Sequence, residues 1–162
     1  MSVIVAELHI NIGSNQNRRQ NIAQSIDALK MNFFDVICSD IFESPAVGFE
    51  GADFYNMGVN ATTNLSIAEV LSILYTIEDK QGRDRSKPKF SSRQIDLDLV
   101  LYDQVIDVEN NLPRDDILKY NFVLLPLAQL NPQSIHPLEN KTYAQLSATV
   151  NELKSYNIKI LN

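Results

Sequence analysis

The sequence predicts an α+β fold in which one antiparallel sheet is covered by helices. Segments that alternate between apolar and polar residues, as half-buried strands do, are interleaved with segments whose apolar residues recur every three or four positions, as in amphipathic helices. The 162 residues have an ordinary globular composition, with 44% hydrophobic and 21% charged residues. The sequence has no internal repeat and no Pro-, Gly- or Ser-rich linker, so we expect a single domain over residues 1–162.

The first two thirds of the chain have the order β-α-β-β-α-β. The predicted strands are 4–12, 34–42, 55–63 and 94–102. One predicted helix covers 17–31, and a second begins at a Ser66–Glu69 capping box and ends at Gly82. This order is typical of the ferredoxin-like arrangement, a four-stranded antiparallel sheet with two helices on one face.

The remaining third is predicted as additions to this core. A short strand is expected at 105–106, an irregular or short helical segment at 113–120, an apolar segment at 122–129 and a helix at 143–153. We expect these C-terminal additions to cover the other face of the sheet or one of its edges.

Charge and cysteine content exclude several classes of protein. The formal net charge of −6 argues against nucleic acid, and against an anionic membrane surface, as the main partner. The same charge disfavours an RNA-binding ferredoxin-like module. No apolar run approaches the roughly 18 residues that span a bilayer, and the N-terminus lacks the basic and small residues of a signal peptide. With Cys38 as the single cysteine, we expect a cytoplasmic protein; no feature predicts a protein partner.

Positive charge is concentrated in one segment of this acidic chain. Six of the 14 lysine and arginine residues lie between Lys80 and Arg93. Such a segment suits a small polyanion such as a nucleotide, and it is equally typical of a solvated loop. Charge alone does not decide between these two interpretations.

The predicted strand 94–102 carries two aspartates on one face. Asp96 and Asp98 point away from the core and lie roughly 7 Å apart, because they alternate with residues expected to face the core: Ile95, Leu97, Leu99 and Leu101. Like charges on one face of a strand repel, and a divalent cation would offset that repulsion, because Mg²⁺ prefers one or two carboxylates together with waters and phosphates. The alternative is a solvent-facing strand with two incidental acids.

Three further polar residues stand out. Glu78 borders the apolar stripe of the second helix, so it is either an edge residue or a ligand contact. His9 and His136 have no nucleophile beside them in the sequence, and we interpret both as structural.

These features resemble the 6-hydroxymethyl-7,8-dihydropterin pyrophosphokinases along nearly the whole chain. The segments that match this family occur in the same order and spacing: 12–15, 44–48, 53–56, Glu78, 82–85, 93–99, 112–113 and 122–127. The resemblance implies a ferredoxin-like fold. It also implies an enzyme that transfers the pyrophosphoryl group of ATP to the hydroxymethyl oxygen of the pterin in folate biosynthesis and releases AMP.

The resemblance also implies roles for individual residues. Asp96 and Asp98 would bind two Mg²⁺ ions, and Arg83 and Arg93 would act on the phosphates. The residues expected to contact the nucleotide are Glu78, Arg83, Arg85, Arg93 and Arg114. The residues expected to contact the pterin are Ser44, Val47, Phe54, Asn56 and Phe122, with Phe54 and Phe122 on the two faces of the ring.

One departure from the family affects these roles. The family often has His after the Leu-Pro pair and Arg shortly before the Phe-Val-Leu segment, where this chain has Arg114 and Tyr120. We expect Arg114 or Lys119 to supply the missing cation. The departure leaves open an alternative function, a slow or non-catalytic paralogue that binds pterin or nucleotide.

Overall fold

A computed structural model describes residues 4–46, 50–82, 86, 95–149 and 159–161, and it shows one antiparallel sheet with helices on both faces. The strands are β1 Ala6–Ser14, β2 Phe34–Cys38, β3 Ile41–Ser44, β4 Phe54–Thr63, β5 Asp96–Tyr102 and β6 Lys159–Leu161. The α-helices are α1 Arg18–Asn32, α2 Ile67–Lys80, α3 Asn121–Leu130 and α4 Tyr143–Ala148, and a 3₁₀ turn covers Asp115–Leu118. The α+β prediction is confirmed. None of the described helices is long and apolar enough to cross a bilayer.

The sheet has six strands rather than the predicted four. Its order is β5-β1-β4-β3-β6, and β2 also pairs with β4. The predicted strand 34–42 is divided because Ser39 and Asp40 leave the strand conformation. The backbone N–H of Ser39 donates to the carbonyl of Gly58 (2.8 Å), and the Ser39 hydroxyl accepts from the N–H of Gly58 (2.9 Å). The break is therefore held against the middle of β4.

One face of the sheet packs against α1 and α2, as predicted. Its core consists of apolar side chains from β1, β4 and β5 together with Ile22, Leu29, Val70, Leu74 and Ile77 of the helices. Helix α2 begins with the predicted capping box: the Ser66 hydroxyl accepts from the Glu69 N–H, and the Glu69 carboxylate accepts from the Ser66 N–H. These contacts fix where α2 starts and hence which residues it buries.

The opposite face packs against α3, which the sequence predicted only as an apolar segment. This second core consists of Val100, Leu101, Ile117, Val123, Leu124, Leu127, Ala128, Tyr143 and Leu146. The C-terminal additions therefore cover the other face of the sheet, one of the two positions predicted for them. The predicted helix 143–153 is seen as α4 up to Ala148, and residues 150–153 lie outside the described part of the chain.

A β-bulge in β5 corrects one predicted orientation. Ile10 pairs with Leu99 and His9 pairs with Leu101, so Val100 is an extra residue between them. Ile95, Leu97 and Leu99 point to the α1–α2 core as predicted, whereas Leu101 belongs to the second core. Because of the bulge, Asp96, Asp98, Val100 and Leu101 all lie on the α3 face.

A buried polar network joins α3 to the sheet. His9 is 2% exposed, and its Nδ1 lies 2.7 Å from Oδ1 of Asn60. The carboxamides of Asn60 and Asn131 bond to each other in both directions, at 2.9 and 3.0 Å. The ring edge of His9 lies over Gly58, where a Cβ would come within 2.8 Å of Cε1 of His9 and 3.0 Å of Cβ of Pro126. Only a glycine leaves room for this packing.

Burial lowers the pKa of His9 to about 4, although its hydrogen bond to Asn60 partly opposes the shift. The folded protein therefore holds this histidine neutral at physiological pH. In the unfolded chain the same side chain has its ordinary pKa of about 6.5.

We predict that the free energy of unfolding falls as the pH is lowered from about 6.5 to about 4. Over this range the unfolded chain binds a proton on His9 and the folded protein does not, which favours unfolding by up to roughly 3 kcal/mol. Urea titrations at pH 7 and pH 4.5 should show a smaller loss of stability for His9→Gln than for wild type. Burial also lowers the pKa of His136, so His136→Gln removes that second contribution and should retain the part of the loss that is due to His9. An equal loss in wild type and His9→Gln would contradict this prediction.

Candidate active site

The predicted pterin and metal residues converge around Gly13, at the end of the central strand β1. Gly13 pairs with Asn56 on β4 and with Asp96 on β5. A Cβ at this position would lie 3.2 Å from Oδ1 of Asn56, 3.8 Å from Cβ of Asp96 and 4.0 Å from Cδ1 of Phe54. Because Gly13 has no side chain, the space between the carboxamide of Asn56, the ring of Phe54 and the side chain of Asp96 stays open.

The two aspartates lie on the same face of β5, as the alternation predicted. Both are partly exposed, while Leu97 between them is buried in the α1–α2 core. Successive side chains on one face of a strand are roughly 7 Å apart. Both carboxylates are therefore close enough to bind cations that are held on one polyphosphate. In the described part of the chain no group of three or more His, Cys, Asp or Glu side chains could hold a metal.

Glu78 of α2 forms a hydrogen bond with the backbone of β5. It is 8% exposed in α2, and its Oε2 accepts a 2.9 Å hydrogen bond from the backbone N–H of Leu97. Leu97 is the residue between the two aspartates, so a helix carboxylate fixes the segment of backbone that carries them. The predicted nucleotide contact of Glu78 stays a prediction.

Arg114 lies beside Asp98. Its backbone N–H donates to the carbonyl of Val100 (2.9 Å), which attaches the segment after Pro113 to the bulge of β5. Its guanidinium bonds Asp116 through Nε (2.8 Å) and lies 3.6 Å from Oδ1 of Asp98. Burial lowers the pKa of Arg114, but the nearby carboxylates of Asp98 and Asp116 more than offset this, so its pKa is raised and the group stays charged.

Lys119, the other candidate for the missing cation, forms its ion pair with Asp115 and not with an aspartate of β5. Its Nζ bonds Asp115 at 2.6 Å, and both side chains are more than half exposed. The structure therefore brings Arg114, rather than Lys119, to the predicted metal pair.

Phe122 lies in the first turn of α3 and is partly buried. The ring of Tyr120 stacks on it, with 5.0 Å between centroids and 16° between planes. The residue that stands in place of the family's arginine thus supports an aromatic wall. At the end of β3, Ser44 is 2% exposed and pairs with Phe54 at the start of β4.

Several predicted residues fall outside the described part of the chain. These are Val47 of the pterin group and Arg83, Arg85 and Arg93 of the nucleotide group. Lys87, Lys89 and Phe90 of the same basic segment are also outside it.

The sequence analysis missed three side chains that shape this site. Asn11 donates to Asn56, Asn15 donates to the carbonyl of Ala52, and Arg18 donates to the carbonyl of Asp53. The last two contacts hold the segment that leads into Phe54. Asn11 could have been found from the alternation of β1, because a polar residue two positions before Gly13 must share its face.

We predict that Glu78→Ala destabilises the fold by about 1–3 kcal/mol, because the buried N–H of Leu97 then has lost its acceptor. Urea titration measures this change. Glu78→Gln retains a carbonyl acceptor and should cost clearly less. If both variants were as stable as wild type, the hydrogen bond to β5 would not be a structural requirement.

Comparison with known proteins agrees with this arrangement. The family model described as 7,8-dihydro-6-hydroxymethylpterin-pyrophosphokinase matches residues 9–132. The chain is 32% identical over 142 residues to the 2-amino-4-hydroxy-6-hydroxymethyldihydropteridine pyrophosphokinase of Aquifex aeolicus (strain VF5), which covers 85% of this chain and 88% of that protein. It is 33% identical over 131 residues to the protein of the same name from Bacillus subtilis (strain 168), covering 77% and 78%.

Among solved structures, the fold is similar to HPPK-DHPS of Plasmodium falciparum, with a TM-score of 0.73 and 13% identity. The match covers 91% of this chain and 44% of that larger one, and at this identity it shows the fold alone. The family model and the sequence relatives show the family as well as the fold, because each of them matches most of the chain. The chain belongs to the 7,8-dihydro-6-hydroxymethylpterin-pyrophosphokinase family.

Proposed function

We propose that this protein transfers the pyrophosphoryl group of ATP to 6-hydroxymethyl-7,8-dihydropterin, giving the pterin diphosphate and AMP in folate biosynthesis. Membership of the family supports this function. The structural observation that carries it is the convergence of Phe54, Asn56 and Asp96 around Gly13. A flat polar heterocycle and a metal-bound polyphosphate would meet at that point. A non-catalytic paralogue is not favoured, because the named relatives are pyrophosphokinases.

The pterin would lie between Phe54 and Phe122, with its polar edge toward Asn56, Ser44 and Val47. Aromatic rings on both faces of a flat heterocycle add about 0.5–1.5 kcal/mol per stacked pair beyond the burial of apolar area. The stack of Tyr120 on Phe122 supports this assignment, since it limits the directions in which the Phe122 ring can turn.

Asp96 and Asp98 fit a hard divalent cation. Mg²⁺ binds through one or two carboxylates and completes its shell with waters and phosphate oxygens, so two aspartates on one strand are a sufficient protein contribution. We propose that these residues would hold two Mg²⁺ ions. When bound, the ions would neutralise phosphate charge and polarise the phosphorus under attack.

The remaining charged groups would neutralise and orient the phosphates. We propose that Arg83, Arg85, Arg93 and Arg114 contact the triphosphate and that Glu78 also contacts the nucleotide. Arginine suits this role because its planar guanidinium can donate two parallel hydrogen bonds to phosphate oxygens. The protein would act by positioning and charge stabilisation, without a covalent protein intermediate.

We also infer that the core is an elaborated ferredoxin-like unit. If β2 and β3 are taken together as the second strand, the chain order β1, α1, β2/β3, β4, α2, β5 is β-α-β-β-α-β. The order β5-β1-β4 with β2 and β3 beyond it supports this interpretation.

We predict that Asp96→Asn and Asp98→Asn each lower turnover by at least about 100-fold, because phosphate charge is left uncompensated. The assay mixes protein, ATP, Mg²⁺ and the hydroxymethyldihydropterin and measures release of AMP. Asp103→Asn is the matched control: it lies just beyond β5, where its Oδ1 accepts from the N–H of Glu7 at 2.7 Å, and asparagine retains that acceptor.

Two outcomes of this assay would count against the proposals. Release of no AMP by the wild-type protein would overturn the function. Release of AMP by both variants at the wild-type rate, with unchanged far-ultraviolet circular dichroism, would overturn the metal assignment alone.

We predict that Arg114→Ala lowers kcat more than it raises the KM for ATP, which is the pattern of an interaction made mainly in the transition state. Steady-state kinetics measures both constants. Lys119→Ala, which removes an exposed cation five residues away, should leave them unchanged. Tyr120→Arg should gain little, because Arg114 already supplies the charge and the stack on Phe122 is lost. A silent Arg114→Ala would contradict the assignment.

A further inference from the structure

Asn11 occupies the centre of the candidate active site, although the sequence analysis assigned it no role. It lies on β1 two residues before Gly13, on the same face of the sheet. Its pairing partner on β5 is Asp98, and its partner on β4 is Gly58. The side chain is therefore placed between the strand of the two aspartates and the strand of Asn56.

The contact of Asn11 is a direct one with Asn56. Nδ2 of Asn11 donates to Oδ1 of Asn56 at 3.1 Å, and each residue is 4% exposed. If the Asn56 carboxamide turned over alone, two N–H₂ groups would face each other and a buried hydrogen bond would be lost, which is costly in the interior. The bond therefore fixes the orientation of Asn56, with Oδ1 toward β1 and its own N–H₂ group turned elsewhere.

The other end of the Asn11 carboxamide is unsatisfied. Its Oδ1 is buried and has no hydrogen-bond partner among the described residues. If both carboxamides were turned over, the N–H₂ group of Asn11 would take the place of this unpaired oxygen. Buried donors without a partner are rarer in proteins than buried carbonyl oxygens without one, so the orientation described here is favoured. A buried acceptor without a partner is unusual and points to a donor that the described residues do not supply, such as a water or a group of the substrate.

We propose that Asn11 is a positioning residue for the pterin: it holds the Asn56 carboxamide in one orientation, so that the Asn56 N–H₂ group is presented to the polar edge of the heterocycle. This inference rests on the proposed function, because it takes the pterin to lie against Asn56. It adds to that function a residue that acts on pterin binding through Asn56 and does not itself have to contact the substrate.

The test is a double-mutant cycle on pterin binding. The Kd of 6-hydroxymethylpterin is measured by titration calorimetry for wild type, Asn11→Leu, Asn56→Ala and the double variant. Asn11→Leu keeps the size of the side chain and removes the donor, so pterin affinity should fall about tenfold. In the Asn56→Ala background the same change should alter the Kd by less than about twofold, because the carboxamide that Asn11 positions is absent.

The matched control breaks a comparable amide pair elsewhere on the same face. Asn131→Leu removes the partner of Asn60, and it should lower the melting temperature while leaving the Kd within about twofold of wild type. Should Asn11→Leu not fold, Asn11→Ala tests the same point and is expected to show the same loss.

The possible results separate this inference from the function beneath it. If wild type does not bind the pterin, the proposed function fails and the inference fails with it. If wild type binds and Asn11→Leu binds equally well, or loses the same affinity whether or not Asn56 is present, Asn11 is only a packing residue. The inference is then overturned and the proposed function stands.

Discussion

The register of β1 against its two neighbours is the constraint on which the site depends. With Gly13 opposite both Asn56 and Asp96, the polar residues of three strands share one face, and Leu97, Leu99 and Met57 share the other. A slip of one residue would turn every side chain of a strand to the opposite face. The apolar core under α1 and α2 prevents that slip, so the same burial that stabilises the fold also places Asp96 opposite Asn56 and Phe54 across Gly13.

Much of this arrangement could be predicted from the sequence, because it follows from alternation and helical periodicity. The face of Asp96 and Asp98, the capping box at Ser66 and the apolar stripes of both helices need only local information. The bulge at Val100, the break at Ser39 and the helix around Pro126 depend on tertiary contacts with Gly58, His9 and the 3₁₀ turn, and local patterns do not encode those. Contacts of residues 83–85 and 87–94 stay predictions, because these residues lie outside the described part of the chain.

The two departures from the family pattern, Arg114 and Tyr120, both form side-chain contacts with predicted site residues. Arg114 brings a positive charge to Asp98 by way of the bulge, and Tyr120 adds its ring to Phe122. The chain thus has a cation beside Asp98 and an additional aromatic ring stacked on Phe122. Sequence comparison alone would count both positions as losses.

The ion pair between Arg114 and Asp98 has a consequence for how a cation would enter the site. Two carboxylates on one strand repel, and before a cation binds, the guanidinium already offsets part of that repulsion. A bound cation would share the compensation of Asp98 with Arg114, which also keeps its bond to Asp116. Because Arg114 already offsets part of the repulsion between the two carboxylates, less repulsion is left for a lone cation to relieve, and the fold keeps both acids on one strand without one.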